Sequence, residues 1–145
     1  MDLNLVDAEL IPTLEAIPEF DIWADLSVTR LLSLQRNTHL ASMLPPIENV
    51  GTADYIVPQS GDEGVPVRIY GPKNQTNVLP ALLWIHGGGY CFGSLMGDDY
   101  TVKRMAEAIG CVVISVDYRL APEFPFPTPL NDCYAALTWV VDNAD

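Results

Sequence analysis

Basic side chains are scarce: seven Lys and Arg stand against nineteen Asp and Glu in 145 residues, a formal net charge of −12. The largest basic cluster is the pair Lys103-Arg104. Nucleic acid and anionic membrane surfaces need a basic footprint, so neither is an expected partner. The acids are spread along the chain, 11 in residues 1–63 and 8 in 64–145, and read as a solvated surface. Cysteine is also sparse. Cys91, Cys111 and Cys133 are odd in number and lack C-x-x-C spacing, which points to free, mostly buried thiols in a reducing compartment. No apolar run approaches the roughly 20 residues that span a bilayer. The start, Met1-Asp2-Leu3-Asn4, carries acid where a secretory signal carries Lys or Arg, so a cytoplasmic setting is expected. Twelve prolines and ten glycines follow no short period, and no internal repeat is visible.

What is present is a globular composition, 49% hydrophobic and 18% charged, of a length that suits one domain or part of one. Residues 1–46 read as a helical region. Ser27 is the expected cap of a helix whose apolar positions Val28, Leu31, Leu32 and Met43 fall near helical spacing, with Arg30 and Arg36 on other faces. Pro12 and Pro18 break the earlier apolar pieces, and Pro45-Pro46 closes the region.

From residue 47 the pattern changes. Residues 53–57 and 65–70 alternate as a half-solvated antiparallel hairpin would, joined by a turn at 60–64. Residues 81–85 and 111–116 are apolar on both faces, as central strands covered on two sides would be. Val102, Met105, Ala106 and Ile109 predict a helix between them, with Asp98 and Asp99 near its start and Gly110 as its stop. Thr128-Pro129 opens a further helix, with Leu130, Cys133, Tyr134, Leu137 and Val141 as its expected apolar stripe. The order is hairpin, then strand–helix–strand–helix: an α/β domain with a parallel section.

The sharpest chemical signal is His86-Gly87-Gly88-Gly89-Tyr90, directly after the apolar run 81–85. Three glycines bury no side chain and cost backbone entropy, so packing alone explains them poorly. From the residues alone the run is either a flexible turn or a set of backbone N–H groups free to converge on one point. An oxyanion forming on an attacked carbonyl needs such donors, each worth about 3 kcal/mol of barrier. A phosphate cradle is disfavoured, because neither G-x-x-x-x-G-K-[ST] nor G-x-G-x-x-G is present.

His86 to Ser94, followed by Asp117-Tyr118-Arg119-Leu120-Ala121-Pro122-Glu123-Phe124-Pro125-Phe126-Pro127, resembles the hormone-sensitive-lipase-like carboxylesterases of the α/β-hydrolase fold. The resemblance implies an incomplete α/β-hydrolase sheet over residues 47–145, preceded by a helical cap segment over 1–46. It assigns the amides of Gly87, Gly88 and Gly89 to the oxyanion hole. It makes His86 a loop-orienting residue rather than the catalytic base, and it makes Arg119 and Glu123 an ion pair bracing the second motif. Cys91 lies in the wrong place for a nucleophile, and His39 reads as a surface or packing residue. The implied activity of the complete enzyme is serine hydrolysis of small or medium carboxylic esters without metal or organic cofactor.

The triad itself is missing from the motif set. A serine esterase of this fold needs G-x-S-x-G, then an acid, then a His. Ser27, Ser33, Ser42, Ser60, Ser94 and Ser115 all lie outside such an elbow. The chain therefore reads as the N-terminal half of the enzyme, truncated before the nucleophile and inactive alone. Its sheet is expected to end on an unpaired apolar strand, with self-association or pairing with a C-terminal fragment as the consequence. Two alternatives stand beside this reading: a non-catalytic ligand-binding module like the plant gibberellin receptor, and a gene fragment without function.

Overall fold

Val50–Val57 (β1) and Val65–Pro72 (β2) pair antiparallel in a register that sets Tyr55 opposite Val67 and Val57 opposite Val65. The computed structural model describes residues 3–16, 21, 23–59 and 63–144. The expected turn at 60–64 falls mostly outside them. Val112–Val116 (β4) adds antiparallel to β2, and Ala81–Ile85 (β3) adds parallel to β4. The resulting sheet has the order β1-β2-β4-β3.

Three helices flank or cap this sheet. Leu95–Ile109 (α3) connects β3 to β4 and Thr128–Asp142 (α4) follows β4, while Leu26–Ser42 (α2) packs against α3. A short helix, Ile11–Ala16 (α1), and a single 3-10 turn at Leu3–Leu5 precede them. The core divides by sheet face. Val57, Val65, Val67, Ile114 and Val116 pack with Cys133 and Ala136 of α4. Val50, Tyr70 and Val113 pack with Val102 and Ala106 of α3. This is the half-sheet of an α/β-hydrolase architecture, an antiparallel hairpin joined to a parallel strand–helix–strand unit.

Four expectations need correction. β2 is not half-solvated: Tyr70 is fully buried, because helices cover both faces of the strand. β3 is the unpaired apolar edge expected, but it is not covered on both faces as a central strand would be: Leu82, Leu83 and Trp84 are half-buried and Ile85 is exposed. The cap of α2 is Asp25, whose carboxylate accepts from the Val28 amide at 3.0 Å, and Ser27 lies inside the first turn. The stripe of α4 is rotated. Pro129, Asp132, Cys133 and Ala136 are buried, while Leu130, Tyr134, Leu137 and Val141 face outward.

α3 follows its expected pattern more closely. Ser94 caps it by accepting from the Gly97 amide at 3.1 Å, and Gly110 ends it at φ 72°. Polar ties pin α3 to the sheet. Asp99 accepts from Tyr70, Arg68 and Lys103, and Asp98 accepts from the Trp84 indole at 2.9 Å. Burial opposes ionisation of Asp99, but these donors hold its carboxyl below the usual range.

Candidate active site

β3 delivers the chain to the front of the sheet at Ile85, and the next residues form the glycine loop. His86 is 3% exposed. Its Nδ1 lies 3.0 Å from the Gly87 carbonyl, which can only accept, so the proton is assigned to Nδ1. Its ring stacks on Tyr118 at 4.2 Å, and the Tyr118 hydroxyl donates to the His86 carbonyl at 2.7 Å. Burial pushes the Tyr118 phenol up to about 12, so it remains a donor across the physiological range.

The glycines are required by the geometry. Gly88 has φ 128°, and a Cβ there would collide with the Phe92 carbonyl. Gly93 has φ 90°, and a Cβ there would collide with the His86 ring. Tyr90 adopts φ 61° without being glycine, an uncommon left-handed conformation that its surroundings must hold.

The loop carbonyls are tied down one by one. Gly88 O accepts from the Cys91 and Phe92 amides at 3.1 and 2.9 Å. Tyr90 O accepts from Ala121 N at 2.9 Å, and Cys91 O accepts from Arg30 Nε at 2.8 Å. Among the described residues, the amides of Gly87, Gly88 and Gly89 donate to no acceptor, and all three glycines are exposed. The Gly87, Gly88, Tyr90 and Cys91 carbonyls are thus occupied, while three backbone donors are left open.

Two acids hold the second motif, in a different pairing from the one expected. Asp132 of α4 is fully buried and accepts from Arg119 through Nε at 2.9 Å, Nη2 at 2.7 Å and the backbone amide at 3.0 Å. Burial works against its ionisation, but Arg119 outweighs it and lowers the Asp132 carboxyl below the usual range. The Arg119 guanidinium also sits 5.2 Å over the Phe124 ring. Glu123 instead meets Arg30 of α2, at 2.8 and 3.1 Å. The physical reason is the backbone turn at 121–123, which aims Glu123 at α2, while α4 presents Asp132 to the Arg119 backbone and side chain together.

The other candidates fall into place as scaffold. Ser94 is a helix cap, and Ser115 is buried in β4. His39 lies exposed in the last turn of α2. The three thiols are free, and burial pushes that of Cys133 up to about 11. A cavity of about 410 Å³ at the β3 edge, lined by Val78, Ala81, Ile114 and Trp139, touches none of the loop residues. One of about 500 Å³ lies on the loop's flank, against Gly93, Ser94, Tyr118, Arg119 and Phe124. Sequence reading missed Arg30, Tyr118 and Asp132 as supports. Asp132 left a signal as an acid set among apolar helix positions, and Tyr118 lay within the second motif.

Residues 82–145 match a family model described as alpha/beta hydrolase fold. The chain is 37% identical over 110 residues to an arylesterase of Saccharolobus solfataricus, a match covering 76% of this chain and 36% of that protein. It superposes on a bacterial heroin esterase with a TM-score of 0.82 at 34% identity, covering 99% of this chain and 45% of that one. An esterase of Pyrobaculum calidifontis gives 0.81 at 35% identity, covering 96% and 44%. The chain has the α/β-hydrolase fold, and it is similar to an esterase of the bacterial hormone-sensitive lipase family at 29% identity and a TM-score of 0.68, covering 93% of this chain and 41% of that one. It spans less than half the length of these relatives. Among the described residues, no helix is long and apolar enough to cross a membrane.

Proposed function

We propose that this chain supplies the oxyanion-hole half of a serine carboxylesterase acting on small or medium carboxylic esters. The observation that carries the proposal is the loop itself: the Gly87, Gly88, Tyr90 and Cys91 carbonyls are occupied and the Gly87, Gly88 and Gly89 amides are open. When a nucleophile attacks an ester carbonyl, the carbonyl oxygen takes up the negative charge. Donors already fixed at that point stabilise the charge without reorganising, which lowers the barrier rather than merely binding the ester. Gly87 and Gly88, with Gly89, fill that role, and buried His86 is the loop's brace. The esterase relatives support the substrate class, and the three free thiols support a cytoplasmic setting.

The nucleophile, acid and base are not among these 145 residues, since no serine occupies a G-x-S-x-G elbow. The chain alone is therefore inactive, and the whole triad would come from sequence outside it. Two assays test this together. Turnover of a short-chain nitrophenyl ester and labelling by a fluorophosphonate are measured on the 145-residue chain and on the product of the reading frame that contains it. The larger product is expected to react in both assays, and Gly88→Ala in it is expected to lower kcat on the order of a hundredfold. Labelling of the 145-residue chain, or a Gly88→Ala enzyme of undiminished kcat, would overturn the proposal.

A further inference from the structure

We infer that Arg30 is a positioning residue that couples the seating of α2 to the geometry of the oxyanion loop, an inference that rests on the oxyanion reading above. Arg30 projects from α2 and uses three nitrogens at once. Nε donates to Cys91 O at 2.8 Å, Nη2 donates to Ala121 O at 2.6 Å, and Nη1 and Nη2 reach the two Glu123 oxygens at 2.8 and 3.1 Å. A guanidinium is a rigid planar fork, so satisfying Glu123 fixes the direction in which Nε points.

The two carbonyls it holds sit on either side of one backbone bond. Ala121 N donates to Tyr90 O, and Arg30 then joins Ala121 O to Cys91 O. A closed circuit therefore surrounds residues 90–91, next to Tyr90 in its left-handed conformation. Phe92 is gripped from the same side: its ring lies 5.7 Å from that of Trp23, just ahead of α2. The Cys91 and Phe92 amides in turn hold Gly88 O. Loss of Arg30 removes donors from two carbonyls and loosens this chain of contacts up to Gly88. Lys carries three donors on one nitrogen and no rigid planar fork, so it cannot hold Cys91 O, Ala121 O and both Glu123 oxygens in one fixed arrangement. Arg30 thus acts on the amides through residues 90–92 and touches no substrate.

Amide hydrogen exchange on the 145-residue chain tests the clamp without needing activity. Arg30→Gln is expected to speed exchange at Cys91 and Phe92 by roughly tenfold while Val67 and Ile114 in the sheet keep their protection. Arg30→Lys is expected to fall between the two, and Glu123→Gln to move the same amides in the same direction by less. If Arg30→Gln unfolds the sheet, Glu123→Gln decides. Unchanged exchange at Cys91 and Phe92 in Glu123→Gln and in every folded Arg30 variant would overturn the inference. In the larger ester-hydrolysing product, Arg30→Gln is expected to lower kcat on the order of tenfold with KM nearly unchanged, and Arg30→Lys to recover part of it. A rise in KM at constant kcat would instead mark Arg30 as a mere packing residue. An unsubstituted product that hydrolyses no ester would overturn the oxyanion reading, while the exchange arm would still decide the clamp.

Discussion

Tyr118 carries more of the loop than any glycine does. Its ring covers one face of His86 and its hydroxyl fixes the carbonyl where β3 gives way to the loop. Tyr118→Phe keeps the stacking and leaves a buried carbonyl short of its donor, so it is expected to cost about 1–3 kcal/mol. Thermal melting would read this as a lower Tm; an unchanged Tm would mean that the hydroxyl contact is not maintained in solution. At this scale the glycines were legible and their supports were not. Three glycines after an apolar strand mark a special backbone position, as a turn or as a set of donors. Arg30 reaches its partners across 61 and 93 positions, and nothing local to α2 distinguishes it from a solvated arginine.

At the scale of elements, caps and buried polar pairs decide what periodicity leaves open. α2 begins at Asp25 because its carboxylate meets the Val28 amide, so Asp25→Ala is expected to cost about 1 kcal/mol, with Ser27→Ala far milder. Denaturant unfolding of the two variants would check this, and equal losses would contradict the cap assignment. α4 shows the same logic at larger cost. Its sequence offers two apolar stripes, and the buried one contains Asp132 because Arg119 and α4 satisfy each other there. Counting apolar positions favours the other stripe, which is why the sequence pattern misplaced the face. Asp132→Asn removes the charge from a buried pair and is expected to cost about 3 kcal/mol at neutral pH. Asp132 has a folded pKa held below its unfolded one, so its contribution is present above about pH 4 and is lost as pH falls through the depressed value. The wild type should therefore lose Tm on acidification over that range, and Asp132→Asn should lack that part of the fall.

Among the described residues, apolar surface stands uncovered at the outer edge of β3 with Ile85 and Val78, along the outward stripe of α4 with Tyr134 and Val141, and on α2 with Val28, Leu31 and Leu32. An unpaired apolar strand is a pairing hazard, so the isolated chain is expected to bind a hydrophobic dye and to elute larger than a monomer. A monodisperse monomer with a sharp melt would count against this. The sheet class, the order of elements and the glycine loop were legible because each rests on local pattern and on two long motifs. The edge position of β3 followed from the motif order, not from its apolar run, which looks the same at an edge as at a centre. The central claim is that the Gly87, Gly88, Tyr90 and Cys91 carbonyls are held while the glycine amides stand open. Hydrogen exchange of individual amides, followed by NMR on the 145-residue chain, tests it most directly. The account predicts near-unprotected exchange at Gly87, Gly88 and Gly89 beside marked protection at Cys91 and Phe92. Protected glycine amides, or unprotected Cys91 and Phe92, would contradict it.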